Sequence, residues 1–191
     1  MEHVPWMLIV ILAWIAWFVY WNIAGFWTNK TRSTETHLQR LSHTIPLGLG
    51  LFLIFYRRSH PYLHGVLLHH VAWKVGGLAL VFAGMGFMVW ARVHLGRYWS
   101  GYVTLKEGHR LIRTGPYGLV RHPIYTGFVT AALGSAMVAG TGDAFIGVVL
   151  VLIAFLLKIP REEKILRREF ADEFEQFRRT VPRLIPFVKL T

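Results

Sequence analysis

The sequence predicts an all-α integral membrane protein with five transmembrane helices, a polar connector and a C-terminal amphipathic helix. Three observations carry this. Long runs lack any formal charge, basic residues gather on one side of those runs, and a charged tail repeats its apolar residues at helical spacing. The chain has 191 residues, of which 54% are hydrophobic. Its length fits one domain, and its apolar share exceeds the soluble norm. The expected organisation is a single unit: three spans in residues 1–91, a connector in 92–123, and a helical hairpin with its tail in 124–191.

The first span is Val4 to Trp27, 24 residues without a charge. At about 1.5 Å per residue it crosses a hydrocarbon core of roughly 30 Å. It is too long, and too poor in basic residues at its start, for a cleavable signal peptide. Leu41 to Tyr56 and Val75 to Ala91 give the second and third spans. Ile124 to Gly142 and Ala144 to Leu157 give the fourth and fifth, joined by the turn Thr141-Gly142-Asp143. The second and fifth runs are short enough for a buried soluble helix. The charges favour membrane crossing: with the N-terminus outside, all of the 21 Lys and Arg except Arg57, Arg58 and Lys74 fall inside. That is the asymmetry of the positive-inside rule, and it places the connector and tail in the cytosol of a cell or inner membrane.

Small residues recur within the spans. Gly127, Ala131, Ser135 and Ala139 fall on one face of the fourth, and Gly76, Gly77, Gly84 and Gly86 lie in the third. Both patterns read as close helix packing. In the tail, Leu166, Phe170, Phe174, Phe177 and Val181 recur every three or four residues among alternating charges. Such a helix lies on the membrane surface or caps a cavity, and Pro182 and Pro186 end it.

Composition excludes several classes. There is no cysteine, hence no disulfide, thiolate metal site or cysteine nucleophile. The net charge of +11 reads as topology and contact with anionic membrane lipid, with no nucleic acid as partner. His60, His64, His69 and His70 include an i, i+4 pair, but they lie on the outer side without a carboxylate. They read as interfacial residues, and no metal is expected.

Chemistry concentrates in two places. The first is "RTGPYGLVRHPIYTG", residues 113 to 127. Gly115-Pro116 signals a turn, and His122 before Pro123 is biased toward extended backbone. Pro123 suits the first turn of the fourth span, where a missing N–H costs nothing. The loop thus delivers side chains and backbone amides to a helix mouth. It reads either as a ligand clamp or as an interfacial anchor, with Tyr117 and Tyr125 in the aromatic belt. The second place is Arg161-Glu162-Glu163, directly after the fifth span. The short link between spans four and five sets these carboxylates beside the loop.

The string "GHRLIRTGPYGLVRHPIYTG", followed by "REEKILRREFADEF" and "VPRLIPF", resembles the isoprenylcysteine carboxyl methyltransferase family over about residues 73–191. These are integral-membrane enzymes that use S-adenosyl-L-methionine. The resemblance implies a cytosol-facing cofactor pocket built by the connector and the last two helices. Its lining would be His109, Arg110, Leu111, Ile112, Tyr117, His122, Pro123, Ile124 and Tyr125, with Glu162 holding the cofactor. It also implies that Lys158 contacts the substrate carboxylate, where eukaryotic members carry arginine. Lysine brings charge there without a bidentate fork.

Methyl transfer from a sulfonium has a good neutral leaving group, so positioning and desolvation dominate. A carboxylate acceptor is already ionised and needs a cation to aim it, for which Arg121 and Lys158 are candidates. An amine or thiol acceptor needs a base, for which His122 is the candidate. The expected partners are membrane lipid and a lipophilic or prenylated-cysteine substrate. Alternative acceptors are a phospholipid amine or a small thiol. A NADPH-dependent sterol reductase-like enzyme shares the C-terminal architecture, and a non-catalytic membrane interaction protein is the remaining reading.

Overall fold

A computed structural model describes residues 5–27, 36–56, 70–99 and 111–188. The elements are α1 (Trp6–Gly25), α2 (His37–Phe55), α3 (Val71–Leu95), α4 (Pro116–Leu119), α5 (Pro123–Ala139) and α6 (Gly142–Thr180), and a single 3₁₀ turn, Gly96–Tyr98, follows α3. The described residues hold no strand.

Each expected span corresponds to a helix. α1, α2, α3 and α6 are long and apolar enough to cross a bilayer. α5 has 17 residues, about 26 Å at the α-helical rise, and is a shorter apolar helix. α2 begins four residues before its apolar run because Thr36 and Gln39 form a reciprocal capping box. α1 is apolar on all sides and buries only Val10, as a helix facing lipid does.

Glycines set how the helices pair. A Cβ built at Gly77 would lie 2.7 Å from the Gly134 carbonyl oxygen, and Gly84 meets Gly127 in the same way. The rising number on α3 pairs with a falling number on α5, so the two run antiparallel in backbone contact. Gly50 and Gly147 join α2 to α6, where a Cβ at Gly50 would lie 2.6 Å from the Gly147 oxygen. Arg161 donates to the Gln39 carbonyl nearer the other end of the same pair, which makes it antiparallel too.

The aromatic side chains of α1 bind these pairs together. Trp14 packs edge-on to Phe55 and Phe128, and Trp17 to Phe128. The Trp14 indole N–H donates to Ser135 Oγ, 2.9 Å away. Ser135 was read as a packing residue, and it also gives α1 a polar tie to α5.

The tail differs from expectation. Rather than a fifth span followed by a separate helix, α6 runs on past Leu157 and Pro160 to Phe170. The charges after Leu157 mark an apolar boundary rather than a helix end, because Arg, Glu, Lys and Leu are all good helix formers. The interruption falls at Ala171, with φ 38° and ψ −111°. Residues 172–180 then resume as helix, and Phe174 and Phe177 are buried against Tyr117, Leu111, Ile112 and Ile124. The apolar stripe therefore caps the loop that precedes α5.

Candidate active site

Residues 111–122, which lead into α5, are fixed from several directions. Gly115 adopts φ 58° with ψ −132°, and the His94 ring packs where its Cβ would be, 2.8 Å away. His94 Nε2 also lies 2.8 Å from Thr114 Oγ1. Pro116 opens the single turn α4 and Pro123 opens α5, both in the first helical turn, where proline is preorganised. Between them, the Arg121 and His122 amides donate to the Pro182 and Arg183 carbonyls at 2.8 and 3.1 Å. Thr126 Oγ1 donates to the Leu184 carbonyl at 2.6 Å. The chain after α6 thus returns to pair with the loop, and the second proline string, "VPRLIPF", has a structural partner.

The adjacent carboxylates of α6 divide their partners. Glu162 accepts from Tyr125 Oη at 2.5 Å and lies 3.7 Å from Lys158 Nζ. Glu163 is buried, with Arg121 Nη2 at 2.9 Å on one oxygen and Arg183 Nη2 at 2.9 Å on the other. His122 lies between them, its Nε2 3.2 Å from Glu163 and its Nδ1 3.6 Å from Glu162. Its ring stacks on Tyr125 at 5.6 Å and 7°, and Tyr125 stacks on Phe155 at 4.4 Å. Lys158 Nζ lies over the Tyr125 face, 5.5 Å from its centroid.

The electrostatics follow from burial and pairing. Burial pushes the Glu163 carboxyl up, but hydrogen bonds and charge from His122, Arg183 and Arg121 outweigh it and set the value at about 2. Burial lowers the Arg121 guanidinium, partly offset by Glu163. Burial, then the nearby Glu162 charge, raises the Tyr117 phenol far above its ordinary range, so it stays neutral.

Of the sequence-chosen residues, Arg121, His122, Tyr125, Lys158 and Glu162 converge at one end of the α5–α6 pair. Tyr117, Leu111, Ile112 and Ile124 form the neighbouring apolar cluster, and Pro123 is buried at the start of α5. His109 and Arg110 lie outside the described residues, as do His60, His64 and His69. His70 precedes α3 and is exposed. Arg121 directs its guanidinium to Glu163 and to the Arg178 and Val181 carbonyls.

Two participants carried no assigned role. Arg183 sits 20 residues beyond Glu163 with no local signal linking them; its only sign was a lone basic residue inside the "VPRLIPF" string. Arg92 ends the apolar run of α3 and is buried, donating to the Ala24 and Gly96 carbonyls beneath the Trp99 ring. A first charge after a span looks like any interfacial arginine.

These residues suit the methyl donor that the motif resemblance implies. A carboxylate oriented by Tyr125 suits an ammonium, aromatic faces suit a sulfonium, and the Leu111, Ile112 and Ile124 cluster suits an apolar ring.

Fold and site together define an all-helical integral membrane protein with a polar, aromatic-lined centre where two helices and a returning tail meet. Residues 77–168 match the model of the isoprenylcysteine carboxyl methyltransferase (ICMT) family, in line with the resemblance read from the motif. The protein-S-isoprenylcysteine O-methyltransferase of Schizosaccharomyces pombe is 39% identical over 101 residues, 51% of this chain and 43% of that protein. Methanethiol S-methyltransferase 1 of Bradyrhizobium diazoefficiens is 27% identical over 179 residues, 85% of this chain and 59% of that one. The fold is similar to that of the eukaryotic intramembrane Ras methyltransferase ICMT, with a TM-score of 0.52 at 18% identity. That match covers 81% of this chain and 55% of the other. The chain spans about half the length of the curated isoprenylcysteine methyltransferases it matches.

Proposed function

We propose that this protein is an S-adenosylmethionine-dependent methyltransferase acting on a lipophilic acceptor at the cytosolic membrane face, foremost the carboxylate of a prenylated cysteine. One observation carries the reading: the Tyr125 hydroxyl is hydrogen-bonded to Glu162, which brings the proline-rich loop and the paired glutamates into one site. When bound, S-adenosylmethionine supplies an electrophilic methyl group on a sulfonium. This chain's residues do the rest. Glu162 takes the ammonium of the donor, with Tyr125 fixing its direction. The stacked His122 and Tyr125 rings present aromatic surface to a cation, worth about 0.5–2 kcal/mol. Phe155, Tyr125 and the capping Phe174 and Phe177 exclude water.

The acceptor carboxylate needs a cation, and Lys158 fills that role. It is buried at the end of the apolar part of α6, where a lipid-borne head group would arrive. Arg121, whose guanidinium is directed to Glu163 and two carbonyls, holds the loop in place. A small thiol is the second acceptor, favoured by the methanethiol S-methyltransferase match over most of this chain. A thiol must lose its proton, and His122, the base candidate of the motif, would take it.

Labelled methyl uptake in a screen of prenylcysteine, lipid-amine and small-thiol acceptors tests the proposal. Uptake by prenylcysteine, cut about tenfold or more in Lys158→Gln by loss of its charge, is the expected result. Uptake by small thiols alone, insensitive to Lys158→Gln, would transfer the function to the second reading.

A further inference from the structure

We infer that Arg183 is a positioning residue for the methyl-donor pocket: it anchors Glu163 so that the Arg121–His122 loop is held against α6. The inference rests on the proposed donor pocket and extends it to a segment with no assigned role. Arg183 makes two contacts with one buried carboxylate, Nη2 to Oε2 at 2.9 Å and Nε to Oε1 at 3.3 Å. This forked geometry holds a carboxylate in a fixed orientation as well as neutralising it. The segment around Arg183 is tied to the same loop by its main chain. Pro182 and Arg183 carbonyls accept from the Arg121 and His122 amides, and Leu184 accepts from Thr126. Leu184 is buried in the same cluster as Phe128, Phe155 and Ile159 of the bundle. Side chain and backbone therefore act on neighbouring groups, and Arg183 closes the ring from the returning chain through Glu163 to His122.

Position, not contact, defines the role. Glu163 is faced by Arg121 and His122 from the loop and by Arg183 from the returning segment, with Glu162 beside it on α6. Arg121 and His122 contact Oε1, and Arg183 reaches Oε2 as well as Oε1. Without Arg183, the Oε2 side loses its charged donor, and the carboxylate is free to turn. His122 and the stacked Tyr125 follow, and Tyr125 is the residue that holds Glu162.

The test uses the full chain in detergent, comparing the unaltered protein with Arg183→Ala and Arg183→Lys. Equilibrium binding of labelled S-adenosylmethionine is measured across pH, alongside hydrogen exchange of the Arg121 and His122 amides. Arg183→Ala should weaken binding about tenfold at neutral pH, on the scale of losing a charge-assisted hydrogen bond. The acid-side loss of binding should move to higher pH, because Glu163 keeps fewer cations, and the two amides should exchange faster. Arg183→Lys should restore the pH profile through its charge but only part of the affinity, because lysine lacks the fork. Unchanged affinity and exchange in Arg183→Ala would overturn the inference. So would a fall in binding capacity with unaltered affinity, the mark of a merely structural residue. Failure of the unaltered protein to bind S-adenosylmethionine would instead overturn the donor pocket, and the amide exchange would still decide whether Arg183 anchors the loop.

Discussion

Glu162 and Glu163 are neighbours in sequence, and helical geometry turns them toward different partners. Glu163 is enclosed by three cationic or donor groups and contributes to stability, while Glu162 shares a tyrosine and a lysine. This division has consequences with opposite signatures. Because the Glu163 value is lowered to about 2, its contribution is fully present above the ordinary carboxylate value of 4.5 and is lost as pH falls toward 2. The amount is roughly 3 kcal/mol. Acid unfolding followed by circular dichroism should therefore steepen between those values, and Glu163→Gln should flatten that part of the profile and lower stability at neutral pH. Tyr125→Phe should leave the fold intact and weaken S-adenosylmethionine binding about tenfold, since only the hydroxyl that orients Glu162 is removed. The Glu162 partnership with the loop was legible in the sequence because a short link forces α5 and α6 together. The burial of Glu163 was not, since the arginines that enclose it lie 42 residues before it and 20 residues after it.

Among the helices, the apolar runs located every span, because loss of charge over a bilayer's width leaves few other readings. What those runs could not reveal is where helices touch. Gly84 and Gly86 look alike in the sequence, yet a Cβ at Gly84 meets Gly127 and Ala131 main chain, while nothing lies within 4 Å of one at Gly86. Gly84→Ala should cost about 1–3 kcal/mol by forcing α3 from α5. Gly86→Ala should be neutral or stabilising, since alanine is the better helix former by roughly 0.5–1 kcal/mol. Thermal unfolding in detergent separates the two. The other hidden feature is the break in α6. Ala171 holds a positive φ that disfavours any residue with a Cβ, amid sequence that reads as continuous helix. Ala171→Gly should raise the melting temperature, although glycine would destabilise an ordinary helical position. A lowered melting temperature would show that the helix does not bend there.

At the scale of the whole molecule, the fold is two antiparallel helix pairs fastened by the tryptophans of α1, with the site at the end where α6 leaves its apolar stretch. The returning tail joins both levels: Phe174 and Phe177 cap the loop, and Leu184 packs into the bundle. Periodicity exposed the apolar stripe of that tail, but its destination depended on a bend that periodicity does not encode. The central claim is that the loop and the paired glutamates form one site for a methyl donor. Equilibrium binding of labelled S-adenosylmethionine and of NADPH to the detergent-solubilised protein, with and without Glu162→Ala, tests it most directly. The account predicts saturable S-adenosylmethionine binding that Glu162→Ala abolishes in a folded protein; binding of NADPH alone, or S-adenosylmethionine binding untouched by Glu162→Ala, would contradict it.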